Sequence, residues 1–158
     1  MFECSLKRLI FWDGELIINT CATKNNNPTP VFHLAVPTHD LEVSKNFYSS
    51  CFGAEIGREY GHYVIFNFFG HQLVTHLDVD RIEKKPNMYP RHFGIIVHSK
   101  EDLTSLYEKC KEHGAEFFEE MFERYKGQHG WHYSFFVSDP SNNLIEVKYY
   151  INELDIFK

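Results

Sequence analysis

The amino-acid sequence predicts an α+β domain built from one βαβββ unit used twice, and three observations predict it. An apolar opening strand carrying a histidine occurs at Val31-Phe32-His33-Leu34-Ala35-Val36 and again at His92-Phe93-Gly94-Ile95-Ile96-Val97. A helix of similar length follows each strand, and each helix runs into the same tripeptide, Gly53-Ala54-Glu55 and Gly114-Ala115-Glu116. The spacing agrees too: His33 precedes Gly53 by 20 residues and His92 precedes Gly114 by 22. Single helices interrupting runs of strands give α+β layering, not a doubly wound parallel sheet.

The first unit is expected over 31–78. Asp40 is placed to cap a helix from Leu41 to Phe52, with Val43, Phe47 and Tyr48 on one face. Three strands should follow, near Glu55–Tyr60, Tyr63–Phe69 and Gln72–Leu77, turned at Gly61 and at Gly70-His71. The second unit is expected over 91–150. Ser99 and Asp102 have the spacing of a capping box, and Leu103, Leu106, Tyr107 and Cys110 share one helix face. A strand near Glu116–Arg124 should lead through a loop containing Gly127 and Gly130 to strands at Trp131–Val137 and Leu144–Tyr150. Asp139-Pro140-Ser141-Asn142-Asn143 reads as the turn between that last pair.

Residues 1–30 read as a separate arm. Leu9–Trp12 and Leu16–Ile18 flank Asp13-Gly14, a hairpin turn signal, and the stretch from Asn25 to Pro30 has linker composition. Residues 151–158 read as a tail.

Composition narrows the function classes. At 158 residues there is room for about one domain. A 43% hydrophobic content with fifteen phenylalanines supplies a packed core. The net charge of −6, with only the short Lys84-Lys85 run, speaks against a nucleic-acid partner, because phosphate binding needs a basic face. Cys4, Cys21, Cys51 and Cys110 form no C-x-x-C pair and are expected to be reduced thiols. No apolar run approaches the roughly 18 residues of a membrane span, and the acidic residues near the N-terminus do not suit a signal peptide. A cytoplasmic protein without a membrane partner is the expectation.

The chemistry is expected at three side chains. His33 and His92 occupy matching points of the repeat, so a pseudo-two-fold axis would bring them together. Glu146 lies in the final strand, on the face it shares with Leu144 and Lys148. A carboxylate amid Leu-Ile-Glu-Val-Lys-Tyr-Tyr is costly to bury unless it is paired or bound to metal. Two imidazoles and one carboxylate leave coordination positions open and suit Fe(II) and related divalent ions. Taken singly, each has a plainer reading: a hydrogen-bonded strand histidine, or an edge-strand charge.

These residues carry a resemblance. Phe32-His33-Leu34-Ala35-Val36 with Asp40-Leu41, Arg91-His92-Phe93-Gly94-Ile95-Ile96-Val97, and Ser138 through Glu146 resemble the opening strands and the closing Asp-Pro turn of the vicinal oxygen chelate superfamily, which includes glyoxalases, fosfomycin-resistance proteins and extradiol dioxygenases. Phe69 through Leu77, with Tyr125-Lys126-Gly127, is most similar to its extradiol-dioxygenase-like branch. The resemblance covers 31–150. It implies two βαβββ modules whose mixed, curved sheets surround a metal held by His33, His92 and Glu146. It also implies a small-molecule substrate and a homodimer in which the modules pair within a chain or between chains.

His76 falls where glyoxalase-like members place a fourth ligand, in a strand whose Gln72, Val74 and His76 share a face. It is expected as a ligand, an acid/base group or a substrate contact. Two departures stand out. Asn142-Asn143 replaces the usual Gly-Asn of the turn, and Asn tolerates the left-handed conformation. Phe136 stands where extradiol enzymes usually carry a tyrosine, ten residues before the glutamate. Proton handling would then fall to His76, His132 or Tyr133, and substrate contact to Gln72, Arg124, Tyr125 and Phe136. Arg124 and Lys126 are expected to meet an anionic substrate group under a lid formed by the 126–130 loop. His39, His98 and His113 flank helix ends and are expected to be solvated, His62 and His71 sit in turns, and His129 and His132 lie in the long hairpin expected to form the lid.

The first functional expectation is a dioxygenase using Fe(II) on a diol or enediol-forming substrate. The second is a glyoxalase-like isomerase, lyase or transferase using Zn, Ni, Mn or Mg. The third is a small-molecule binding protein without catalysis.

Overall fold

The structure is a computed structural model, and it describes the backbone of Leu9–Trp12 and Glu15–Ile18 and all of residues 29–158. Strands β1 (Leu9–Trp12) and β2 (Glu15–Ile18) pair antiparallel, with Leu9 opposite Ile18. The expected Asp13-Gly14 turn, most of the expected linker, Cys4 and Cys21 lie outside the described residues. Met1–Pro30 and Val31–Lys158 are separate compact units.

The second unit contains both modules. Module one runs β3 (His33–Thr38), α1 (Leu41–Phe52), β4 (Glu55–Tyr60), β5 (Tyr63–Phe68), β6 (His71–Leu77), and module two runs β7 (Phe93–Val97), α2 (Lys100–Glu112), β8 (Glu116–Arg124), β9 (His132–Ser138), β10 (Leu144–Tyr150). The sheet orders are β3-β6-β5-β4 and β7-β10-β9-β8, which is one topology used twice. In each, the opening strand runs parallel to the last strand and the other pairs are antiparallel.

Local chemistry sets the helix ends. The Asp40 carboxylate accepts from the backbone N–H of Glu42 at 2.8 Å and Val43 at 3.0 Å, satisfying donors the first turn leaves open. Gly53, at φ 68°, supplies the left-handed stop that a side chain would resist. At α2 the Ser99 hydroxyl accepts from Asp102 N–H at 3.0 Å and donates to the Asp102 carboxylate at 2.6 Å.

Strand alternation divides each sheet into two faces. Val64, Phe66, Phe68 and Leu73 of module one, and Phe135, Val137, Ile145 and Val147 of module two, face the helices. With Phe47, Tyr48, Cys51 and Phe52 of α1 and Leu103 and Cys110 of α2 they form one core spanning both modules. Each large apolar side chain in it contributes about 1.5–3 kcal/mol. The helices meet directly, with the Cys110 thiol 3.9 Å from the Cys51 carbonyl oxygen.

The β9–β10 turn ties the modules together. Asp139 accepts from Ser141 N–H and Asn143 N–H, each at 2.8 Å, and from the Tyr48 hydroxyl of module one at 2.7 Å. Asn143 donates to Pro37 O at 2.9 Å. Asn142 adopts φ 63°, so this asparagine takes the left-handed position that glycine fills in the family pattern. Burial pushes the Asp139 carboxyl above its usual range, opposed by the donors from Asn143, Tyr48 and Ser141. Among the described residues, no helix is long and apolar enough to cross a membrane.

Candidate metal centre

The helix-free face of module two carries Glu146. The register puts Glu146 opposite Phe136 and Lys148 opposite Ser134, while β7 places Gly94 beside Glu146 on the other flank. The carboxylate is buried at 8% exposure, and its two oxygens have different surroundings. Oε1 accepts from the Ser134 hydroxyl at 2.5 Å and lies 3.2 Å from Lys148 Nζ. Oε2 lies 3.3 Å from His92 Nε2.

His92 sits one residue before β7, not inside it, so the linker positions its ring. Nδ1 is 2.6 Å from the carbonyl oxygen of Met88. A carbonyl can only accept, so Nδ1 carries the proton. In the neutral ring Nε2 is then a lone pair facing a carboxylate oxygen, two acceptors that repel unless a proton or a metal cation joins them. A histidine whose Nδ1–H is held by a backbone carbonyl while Nε2 faces a carboxylate is the arrangement metal sites use to orient their ligands. The donor set therefore fits a divalent cation.

His33 is not part of that group. It is the first residue of β3, exposed on the helix-free face of module one, with Nδ1 2.7 Å from Gln72 Oε1. With Nδ1–H donating to the Gln72 oxygen, Nε2 is left with a free lone pair. Among the described residues, no three His, Cys, Asp or Glu side chains are grouped to hold a metal within the chain. Convergence of the three expected ligands inside one chain does not occur among the described residues, because the modules share a core on the helix side of their sheets while His33 and Glu146 lie on the helix-free faces.

The other expected residues divide between the two faces. His76 shares the His33 face, exposed, with its ring 5.2 Å from Tyr63. Phe136 lies beneath His92, ring centroids 5.3 Å apart, and stacks on Phe122 at 6.2 Å. His132 is buried on the Glu146 face, its Nδ1 2.6 Å from Gly130 O, between Tyr125 and Tyr150. Arg124 lies on that face, donating to the Tyr89 hydroxyl at 3.0 Å. Tyr125 is exposed at φ 55°. Two assignments need correction. Tyr133 belongs to the helix side of β9, bonded to Glu123 at 3.0 Å with Lys100 over its ring, since adjacent strand residues point opposite ways. Lys126 is paired with Glu123, which Trp131 and Tyr133 hold on that same side.

Sequence reasoning put Lys148 on the Glu146 face but missed Ser134, Met88 and Tyr89 as partners of the site. Walking the hairpin register outward from the Asp139–Asn143 turn would have found Ser134 beside Glu146. A cavity of about 510 Å³ adjoins His92, lined by Leu34, Pro37, Tyr89, Arg91 and Asn143 among others.

With this geometry in view, the comparisons define the class. The model of the Glyoxalase/Bleomycin resistance protein/Dioxygenase superfamily matches residues 31–147, and the chain belongs to that superfamily. A glyoxalase/bleomycin resistance protein/dioxygenase from Alicyclobacillus acidocaldarius is 41% identical, covering 84% of this chain and 99% of that one, with a TM-score of 0.78. The fosfomycin resistance protein FosX from Listeria monocytogenes is 20% identical over 81% of this chain and 98% of that one, with a TM-score of 0.63. Lactoylglutathione lyase from Agrobacterium tumefaciens is 17% identical over 78% and 95%, with a TM-score of 0.59. No curated protein matches the chain.

Proposed function

We propose that the protein is a metal-dependent enzyme acting on a small substrate that binds through neighbouring oxygens. In this reading it works as a homodimer, with His33 of one copy completing the His92–Glu146 pair of the other. The observation that carries this is the facing of His92 Nε2 and Glu146 Oε2 at 3.3 Å, with His92 Nδ1 and Glu146 Oε1 already engaged. His33 presents the same free Nε2 on an open sheet face. A variant of the Listeria protein was solved with Mn(II) and 1S,2S-dihydroxypropylphosphonic acid, which supports a divalent metal and an oxygen-rich ligand for this fold.

A bound divalent metal would act as Lewis acid and template for the substrate oxygens. The chain's own residues do the rest. Met88 O and Gln72 fix the two imidazole tautomers, Ser134 and Lys148 keep Glu146 Oε1 occupied so that Oε2 is presented, and Phe136 keeps water from beneath His92.

Two chemistries share this donor set. Ring-opening oxygenation with Fe(II) draws on the two-histidine, one-carboxylate donors. Isomerisation or addition with a non-redox metal is favoured by Phe136, fully buried between His92 and Phe122, because that position carries no phenol to manage protons of a catecholate, while the Tyr89 ring, 5.7 Å from His92, has its hydroxyl engaged by Arg124. Metal analysis after anaerobic purification separates the two. Manganese, zinc or nickel supports the non-redox reading, iron restores the dioxygenase, and no metal at all removes both.

A further inference from the structure

We infer that Arg124 is an oxyanion-recognition residue, and that the substrate of the proposed centre carries a carboxylate or phosphonate-type anionic group. This rests on the reading of the His92–Glu146 pair as the chemical centre and adds the substrate class.

Arg124 ends β8, on the Glu146 face of the sheet, opposite His132. Its guanidinium lies over the Phe122 ring, Cζ 4.9 Å from the centroid, and Phe122 stacks in turn on Phe136, the ring beneath His92. One N–H donates to the Tyr89 hydroxyl at 3.0 Å, and another points to the Met88 sulfur at 3.9 Å. Both partners are neutral, and a thioether is a weak acceptor. Among the described residues, no carboxylate lies within ion-pair distance of Arg124, although Glu123 is its chain neighbour. Glu123 is committed to Trp131, Tyr133 and Lys126 on the other side of the strand.

Arg124 is partly buried and has no counter-ion among the described residues, so the desolvation of its side chain is not offset by an ion pair. Its aromatic bed recovers part of that through cation–π attraction and fixes the plane of the fork. The remaining N–H groups are oriented donors without acceptors among the described residues. Met88 and Tyr89 also belong to the segment that holds His92, so the cation and the metal-facing imidazole share one support. An anion bridging the Arg124 fork would therefore be held over the same Phe122–Phe136 floor as a substrate at the metal. Lys148, the other cation on this face, is already paired with Glu146 and is not available for that role.

The test uses metal-free full-length protein and three probes of one shape: phenylphosphonate, benzoate and benzyl alcohol, followed by NMR titration. Wild type should bind at least one of the two anions at least tenfold more tightly than the alcohol, and the preferred anion tells phosphonate from carboxylate recognition. R124Q should erase that preference while leaving benzyl alcohol unchanged, and R124K should restore part of it. Equal binding of anions and alcohol by wild type, or an anion preference that survives R124Q, overturns the inference. Metal content measured separately judges the proposed centre. Loss of metal binding with the anion preference intact would sink that reading and leave Arg124 as an anion site alone.

Discussion

A side chain at Gly94 would place its Cβ 1.8 Å from the carbonyl oxygen of Glu146. The two residues are register partners in the parallel β7–β10 pair, so the carboxylate's backbone has room only because residue 94 has no Cβ. Gly94→Ala should destabilise the protein by about 3 kcal/mol or more, because backbone must move where a flexible side chain cannot yield. Chemical denaturation measures it. A loss under about 1 kcal/mol would show that the strands separate easily and that the placement of Glu146 is not fixed this way.

Ser134 holds Glu146 Oε1 at 2.5 Å in a buried setting. Ser134→Ala should lower stability by about 1.5–3 kcal/mol, the value of a hydrogen bond to a charged group. It should also weaken divalent metal binding by roughly tenfold to a hundredfold, as losses of outer partners of a ligand do. Titration with Mn(II) reads the second effect, and unchanged affinity would mean that the hydroxyl does not steer the carboxylate.

The Tyr48–Asp139 bond makes a pH-dependent contribution. Asp139 has a folded pKa raised above its unfolded value, chiefly by burial, so the native state binds more protons in that window. Its share of stability is present at acid pH and is lost as pH rises through the folded pKa. Tyr48 donates to the charged form at 2.7 Å and offsets part of that loss. Tyr48→Phe should therefore cost about 1.5–3 kcal/mol near neutral pH and clearly less once Asp139 is protonated. Equal costs at both pH values would contradict the assignment.

Cys51 and Cys110 are buried at 1% and 0% exposure, and the Cys110 thiol is pushed far up by its bond to Cys51 and by burial. In a variant with Cys4 and Cys21 replaced by serine, an aromatic disulfide reagent should label neither thiol faster than the protein unfolds. Rapid labelling of the native protein would show that the helix interface opens.

Much of the fold was legible because its signals are local. The Asp40 and Ser99 caps, the Gly53 stop and the Asp139–Asn143 turn each act through neighbours in sequence, and the repeated Gly-Ala-Glu exposed the duplication. Glu146 was legible as a buried carboxylate that needs a partner, whereas the repeat argument paired His92 with His33, which the chain does not bring together. What was not legible depends on registers and on packing between modules. Tyr133 was placed in the site although one strand step turns it toward α2, and the bulges in β8 between Phe117 and Phe122 hide which residues face Arg124's floor. The separation of His33 from His92 follows from helix-to-helix packing of the modules, which no strand pattern encodes.

The central claim is that His33 of one copy completes the His92–Glu146 pair of another, and subunit complementation tests it most directly. His33→Ala and Glu146→Gln proteins should each bind divalent metal poorly alone. Co-refolded as a mixed dimer they should regain one intact site per dimer, because one copy supplies His33 and the other His92 and Glu146. Metal content that stays at the level of the separate variants after mixing would contradict it.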